Sequence, residues 1–303
     1  MMNNYFVAFA DKKLFRSLAR IKRQAEALGF FTKVFVLDDE ALPHEFRVRF
    51  KDRLVQGSRG FGYWSWKPEV IKQTLNQIAD GDALIYVDAG CHINRSGLRR
   101  LKEYFDLLQG ENSGILAFQS KPPTKDSPLK WDGRKLFDQP NYRWIKGDLF
   151  NYFGARDDRR FTHAEAIGAG VILVKKCSNS MSIIDEWCSI IASDFSLLDD
   201  TPSKTGNIDG FIEHRHDQSI FSLLCLKYNI PTLSAYEYWY PKDLSSGRLV
   251  PDWDALKSLP IHARRDKDLG PLENFRRRLK NIMSRLWRII GKYMESPIKN
   301  DSI

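Results

Sequence analysis

The stretch that decides the fold is residues 81–91, which read GDALIYVDAGC. Its centre, residues 83–87, is a continuous apolar run of the length and type expected for a strand buried on both faces. The run ends on Asp88, and small residues follow. Open α/β sheets bind ligands outside the carboxyl ends of their strands, so Asp88 is a candidate ligand-binding carboxylate. The alternative is that Asp88 only caps a turn or the next helix.

The segments around this strand alternate between strand and helix patterns. Upstream, strands are predicted at 5–10 and 33–37, with an amphipathic helix at 12–28 between them. Further strands are predicted at 114–118 and 169–174, and further helices at 68–79, 96–108, 180–193 and 217–228. This alternation predicts an α/β domain over residues 1–270, with a mainly parallel sheet covered by helices on both faces.

The cysteine content and the distribution of apolar residues indicate in which cellular compartment the protein works. The four cysteines form no CxxC pair, which is typical of a protein from a reducing cytoplasm. The N-terminal segment has the pattern of a first strand and not of a signal peptide. No apolar run approaches the 18 residues that a membrane span needs. We therefore expect a cytoplasmic protein.

Residues 59–68, RGFGYWSWKP, combine aromatic rings, glycines and a cation. Trp64 and Trp66 offer faces on which a flat ligand can stack. Lys67 precedes a helix that begins at Pro68, and the free N–H groups of a helix start favour anions. These three side chains are predicted to contact a phosphorylated ligand. The alternative is an aromatic loop packed on the core.

Two later segments carry further candidates. Asp217 opens an apolar helix within a charged cluster, where it is a candidate general base, although acidic residues also cap helices. A second segment, residues 261–267, joins a histidine to several cations that suit a diphosphate, or else forms a solvated loop. Its candidate residues are His262, Arg264, Arg265 and Lys267.

The C-terminal part, residues 271–303, is strongly basic. Of the formal net charge of +9, residues 273–303 supply more than half, with eight Lys and Arg against three Asp and Glu. Residues 273–294 place apolar side chains at helical spacing, with seven cations between them. This pattern predicts an amphipathic helix that lies on an anionic membrane surface. The alternative is a helix that packs on the domain or on a second copy.

Together these segments resemble the GT-A glycosyltransferases that build bacterial capsule and O-antigen polysaccharides. The resemblance covers about residues 3–267. It rests on the first strand–helix–strand unit, on Asp88-Ala89-Gly90 at a strand end, and on the Asp217-Gln218 helix start followed by His262. The resemblance implies a GT-A-like fold and transfer of a hexose from a nucleotide-diphosphate donor, with a UDP-sugar and galactose as the expected choices.

The resemblance also implies roles for single residues. Asp88 would bind Mn²⁺ or Mg²⁺, or else the ribose-diphosphate. His262 would be the late histidine that binds the metal or a phosphate, and Asp217 would face the acceptor. Gly90 stands where a second carboxylate is usual, so this chain supplies fewer acidic ligands than the family pattern. Lys67 and the cations of residues 264–267 would then neutralise the leaving diphosphate. Whether the reaction inverts or retains the sugar configuration stays open.

A lipid-linked oligosaccharide is the expected acceptor, because it would explain a membrane-binding helix on a cytoplasmic enzyme. The predicted location is therefore peripheral, at the inner face of the cell membrane. Two other functions are compatible with the basic tail: a nucleic-acid-binding protein and a non-catalytic membrane adaptor with a degenerate transferase-like domain. The sequence lacks a known nucleic-acid-binding signature, so no nucleic-acid partner is expected.

Overall fold

The computed structural model describes residues 2–131, 133, 139–241 and 250–267. Its eight strands form one six-stranded sheet in the order β2-β1-β3-β6-β5-β7 and one two-stranded sheet, β4-β8. The strands are β1 (Asn4–Phe9), β2 (Lys33–Leu37), β3 (Ala83–Val87), β4 (His92–Ile93), β5 (Ile115–Gln119), β6 (Ile167–Lys175), β7 (Thr232–Ser234) and β8 (Ile261–His262).

The large sheet is mainly parallel. The pairs β1-β2, β1-β3 and β5-β7 are parallel, and only β6 runs against its neighbours β3 and β5. A parallel return needs a long crossover, usually a helix, whereas the described residues between β5 and β6 contain only two short α-helices and one 3-10 turn. The sequence-based prediction of an α/β domain with a mainly parallel sheet is confirmed, and the reversed β6 is a feature that it did not include.

Helices cover both faces of the sheet. Side chains alternate along β1, so that Val7 and Phe9 pack on one face while Phe6 and Ala8 pack on the other. The helices are α1 (Phe15–Glu26), α2 (His44–Arg49), α3 (Gly60–Tyr63), α4 (Trp66–Leu75), α5 (Leu98–Gln109), α6 (Gly147–Tyr152), α7 (Arg159–Thr162), α8 (Ser178–Ser193) and α9 (His216–Lys227). Helices α1 and α5 cover one face, and α4, α8 and α9 cover the other.

The two-stranded sheet brings a late segment of the chain to the end of β3. Strand β4 follows β3 after four residues and pairs antiparallel with β8, so that His92 lies opposite His262. The backbone N–H of Asn94 donates to the carbonyl oxygen of Pro260 at 2.8 Å. Residues 263–267 therefore continue from β8 past the carboxyl end of β3.

The predicted basic helix at 273–294, and with it the separate C-terminal unit at 271–303, lies outside the described residues. Among the residues that are described, no helix has both the length and the apolar character needed to cross a membrane.

Candidate active site

Asp88 stands at the carboxyl end of β3 with one side of its carboxylate fixed. Its backbone N–H donates to Gly170 O at 2.8 Å, and the hydroxyl group of Tyr86 donates to Oδ1 at 2.7 Å. A Cβ atom added at Gly170 would lie 3.1 Å from Oδ2, so the glycine leaves room for the second oxygen. The side chain is 38% exposed. Asp88 is therefore an oriented carboxylate that a ligand can reach.

The ammonium group of Lys67 lies directly behind this carboxylate. Its Nζ atom is 3.3 Å from Asp88 Oδ1, 2.6 Å from Asp217 Oδ2 and 3.0 Å from the carbonyl oxygen of Ala169. The side chain of Lys67 is only 3% exposed. An ammonium group has three N–H donors, and here three oxygen atoms surround it. Lys67 thus links the ends of β3, β6 and α9.

Burial and ion pairing shift the pKa values of Asp217 and Lys67 in opposite directions. Burial raises the pKa of the Asp217 carboxyl to about 6, although Lys67 opposes the shift. For Lys67, burial lowers the pKa, but Asp217 and Asp88 outweigh it, so the net direction is upward. Two carboxylates share one ammonium group, which gives the cluster a surplus negative charge when both are ionised. Its raised pKa allows Asp217 to take up a proton as pH falls toward 6.

Asp217 lies in the first turn of α9, after a helix start that no side chain caps. Its side chain is 7% exposed and is turned toward Lys67. The sequence-based prediction made Asp217 the general base. The structure places it on Lys67 and leaves Asp88 as the more exposed carboxylate of the pair, because Lys67 draws Asp217 inward.

Residues 264–267 form a basic segment beside Asp88, anchored by Asp266. The backbone N–H of Asp266 donates to Gly90 O at 3.0 Å, and its carbonyl accepts from Ser17 Oγ at 3.2 Å. The guanidinium group of Arg20 is 3.5 Å from the Asp266 carboxylate. The predicted residues Arg264, Arg265 and Lys267 are exposed on this segment. The contact with Gly90 therefore brings the backbone of this segment to the strand end that carries Asp88, while the guanidinium carbon of Arg264 lies 5.0 Å from the centroid of the Trp253 ring.

Gly90 lies close to the backbone of this segment. A Cβ atom at Gly90 would lie 3.4 Å from the Cα atom of Arg265. Arg265 itself has a left-handed backbone with a φ of 52°. Left-handed non-glycine residues are found preferentially where surrounding contacts impose them, often at functional sites. The position that carries a second carboxylate in the family pattern is therefore occupied by a glycine, and the backbone of Arg265 lies close to it.

Arg215 belongs to the charged cluster that precedes Asp217, and the sequence analysis did not select it. Its guanidinium carbon lies 3.5 Å from the centroid of the Trp144 ring, and Nη1 donates to Gln139 Oε1 at 2.8 Å. Burial lowers its pKa to about 10, and the positive charge of Arg265 acts in the same direction. The useful sequence signal was its place two residues before Asp217.

The two predicted tryptophans have different surroundings. Trp66 is 5% exposed, its ring centroid is 4.0 Å from that of Phe9, and its Nε1–H donates to Gly60 O at 3.1 Å. The predicted stacking of a ligand on Trp66 is corrected, because core residues cover the ring. Trp64 is only partly buried and stacks on His216, with 5.7 Å between ring centroids.

The metal predicted from the resemblance does not fit the residues that the structure describes. His262 is buried, and its Nε2 atom donates to Leu256 O at 2.8 Å, so only Nδ1 is left as a possible metal ligand on this side chain. Oδ1 of Asp88 already faces Lys67 and Tyr86. Within residues 2–131, 133, 139–241 and 250–267, no three His, Cys, Asp or Glu side chains form a group suited to a metal ion.

No family model matches the sequence, and no curated protein matches it. Solved structures show a distant likeness. Mouse xyloside xylosyltransferase 1 is 11% identical, with a TM-score of 0.43, over 86% of this chain and 97% of that one. A glycosyltransferase involved in glycosylation of the major capsid of PBCV-1 is 10% identical, with a TM-score of 0.43, over 88% and 98%.

The galactosyltransferase LgtC, in complex with donor and acceptor sugar analogues, is 14% identical with a TM-score of 0.39, over 90% of this chain and 94% of that one. All three TM-scores are below 0.5. None of these likenesses therefore decides the chemistry of the site.

Proposed function

We propose that this protein is a glycosyltransferase that moves a hexose from a nucleotide-diphosphate sugar, a UDP-sugar in the first instance, to a glycan acceptor. The observation that carries the proposal is the position of Asp88. It is a reachable, oriented carboxylate at the carboxyl end of a central strand, with the basic segment 264–267 anchored beside it. The resemblance of the sequence to polysaccharide-building transferases supports the same assignment.

The proposed roles follow from charge and exposure. Asp88 accepts hydrogen bonds from sugar or ribose hydroxyl groups through its open side. Arg264, Arg265 and Lys267 are exposed cations that stabilise the negative charge developing on the leaving diphosphate. Asp217 is revised from general base to partner of Lys67, because it is buried and already paired.

Nucleotide binding is the first test of the proposal. We would titrate the purified protein with UDP, GDP, CMP and dTDP and follow the melting temperature, since a ligand that binds only the folded state raises it. The expected result is a selective shift with one nucleotide diphosphate, reduced in Asp88→Asn and in Arg265→Gln. Asp80→Asn is the control, because Asp80 is an exposed aspartate whose contact is with Lys176. No shift with any of the four nucleotides would refute the donor site.

Transfer itself needs a second measurement. Incubation with radiolabelled UDP-hexoses and a membrane extract should move label into a lipid-extractable glycan, with UDP released in equal amount. Binding without transfer would favour the non-catalytic adaptor. Steeply salt-dependent binding of RNA, together with no nucleotide shift, would favour the nucleic-acid-binding alternative.

We also propose that a lipid-linked oligosaccharide is the acceptor and that residues 273–294 attach the protein to the inner face of the membrane. Sedimentation with vesicles tests this part. The full chain should sediment with vesicles rich in phosphatidylglycerol and stay in solution with pure phosphatidylcholine. Replacement of Arg276, Arg277 and Arg278 by Glu should abolish sedimentation without changing the nucleotide shift. Equal sedimentation of this variant would contradict the membrane role.

A further inference from the structure

We propose that the ammonium group of Lys67 occupies the cation position of this site and holds Asp88 and Asp217 together in place of a divalent metal ion. The proposal concerns the same site as the proposed function, but its central measurement uses a metal ion alone and does not depend on that function.

The Nζ atom of Lys67 has the surroundings of a bound cation. Three oxygen atoms surround it at 2.6, 3.0 and 3.3 Å, namely Oδ2 of Asp217, the carbonyl oxygen of Ala169 and Oδ1 of Asp88. Two carboxylates and a backbone carbonyl are also the ligand types that hard divalent cations prefer. They come from three elements, namely the carboxyl end of β3, strand β6 and the first turn of α9. The side chain of Lys67 therefore fills the centre of a three-oxygen cage.

The positive charge of Lys67 opposes the binding of a second cation at this place. A divalent ion bound to Asp88 Oδ1 would lie within a few ångströms of the buried ammonium group, and like charges at that distance repel strongly where water is scarce. The ion and Lys67 thus compete for the same oxygen atoms. Lys67 is covalently part of the chain and is 3% exposed, so its charge is always present at the cage. This competition accounts for the poor fit of a metal to the site.

The two oxygen atoms of the Asp88 carboxylate have different surroundings. Lys67 and Tyr86 both bind its Oδ1 atom, and Oδ2 is left on the open side next to Gly170. Lys67 and Asp217 are thus positioning residues that fix the orientation of the carboxylate. Neutralisation of a bound diphosphate falls to other cations, namely Arg215, Arg264, Arg265 and Lys267.

The test is a titration of the purified protein with Mn²⁺ alone, in which free Mn²⁺ is measured by electron paramagnetic resonance. Wild type should show no saturable site below millimolar Mn²⁺. Lys67→Ala empties the cage and should create one site, at least tenfold tighter than any wild-type binding. The double variant Lys67→Ala with Asp217→Asn should lose that site again. Lys72→Ala is the control, because Lys72 also pairs with an aspartate, Asp185, at 2.8 Å but on the surface.

A saturable wild-type Mn²⁺ site that Asp88→Asn abolishes would overturn the proposal. This measurement needs no substitution at Lys67, so the proposal remains testable when Lys67→Ala does not fold. No gain of Mn²⁺ binding in a folded Lys67→Ala would also overturn it.

Nucleotide titration with EDTA or Mn²⁺ separates this proposal from the proposed function. An equal melting-temperature shift under both conditions supports the proposal. A shift that requires Mn²⁺ overturns it and leaves the donor site intact. No shift under either condition refutes the proposed function, and the Mn²⁺ titration then decides on Lys67 by itself.

Discussion

The carboxylate of Asp217 meets the ammonium group of Lys67 at 2.6 Å, and the two side chains are only 7% and 3% exposed. The two residues are 150 positions apart in the chain, one in α4 and the other in α9. Removal of one partner from a buried ion pair leaves an uncompensated charge, which costs far more than loss of a surface pair. The pair therefore couples the stability of the domain to the orientation of Asp88, which lies against the same ammonium group.

The pH dependence of stability should carry the signature of Asp217. Its pKa is about 6 in the folded state and 3.8 in the unfolded state, so the folded state binds the proton more tightly between these values. The contribution of this group to the free energy of unfolding is therefore highest below pH 4 and falls as pH rises through 6, by on the order of 3 kcal/mol. Urea unfolding at pH 4, 5, 6 and 7 measures it.

Asp217→Asn supplies the reference for this measurement, because asparagine does not titrate and Lys67, whose pKa is raised, keeps its charge in that range. The free energy of unfolding of wild type minus that of Asp217→Asn should therefore fall as pH rises from 4 to 7. Parallel stability curves for the two proteins would mean that the pKa of Asp217 is not raised in the folded state.

Gly170→Ala should impair the site while leaving the fold intact. The new Cβ atom would lie 3.1 Å from Oδ2 of Asp88, closer than ordinary contact, and would push the carboxylate from its open side. We expect about tenfold weaker nucleotide binding, equivalent to ~1.4 kcal/mol. Calorimetric titration measures the affinity. Gly110→Ala is the control, because its Cβ would have 3.8 Å to the nearest atom. Equal affinities for both variants would count against Asp88 as a ligand-binding group.

Asp266→Ala should loosen the basic segment 264–267 at the end of β3, although the backbone hydrogen bonds of residue 266 to Gly90 and Ser17 remain. The substitution removes the carboxylate that lies 3.5 Å from Arg20 Nη1 and 3.4 Å from His92 Nε2. The cations would then be less well placed, and affinity for a nucleotide diphosphate should fall by roughly tenfold with no comparable loss for the free nucleoside. Competition binding with UDP and uridine measures both. A parallel loss for UDP and uridine would contradict a role in holding the diphosphate.

Gly60→Ala should destabilise the aromatic turn that precedes α4. Gly60 has a φ of +59°, and its Cβ atom would lie 2.3 Å from the ring of Trp64. Gly29→Ala separates the effect of the left-handed backbone from that of the clash with Trp64. Gly29 has a φ of +61° but open space around its Cβ position. We expect a loss of about 1 kcal/mol for Gly29→Ala from backbone strain alone, and about 3 kcal/mol for Gly60→Ala. Urea unfolding measures both. Equal losses would show that Trp64 yields without cost.

Local sequence was sufficient to predict most of the framework. Strand β3 occupies the predicted residues 83–87, and helix α1 lies within the predicted 12–28. Hydrophobic period depends on neighbours within a turn or a strand, so it survives as a signal in a single sequence. The short strands β4, β7 and β8 were missed, because two or three residues carry no measurable period.

The candidate site was only partly predictable for the opposite reason. The chain shows that Asp88 ends a buried strand and that Asp217 begins a helix, because both facts are local. It does not show that Lys67 stands between them, that Trp66 turns into the core, or that β6 runs antiparallel to β3. The position of Lys67 and the direction of β6 depend on contacts between residues that are roughly 20 to 150 positions apart in the chain. The burial of Trp66 depends on the core residues that cover its ring. Only the packed structure decides which of several suitable partners a buried charge or ring meets.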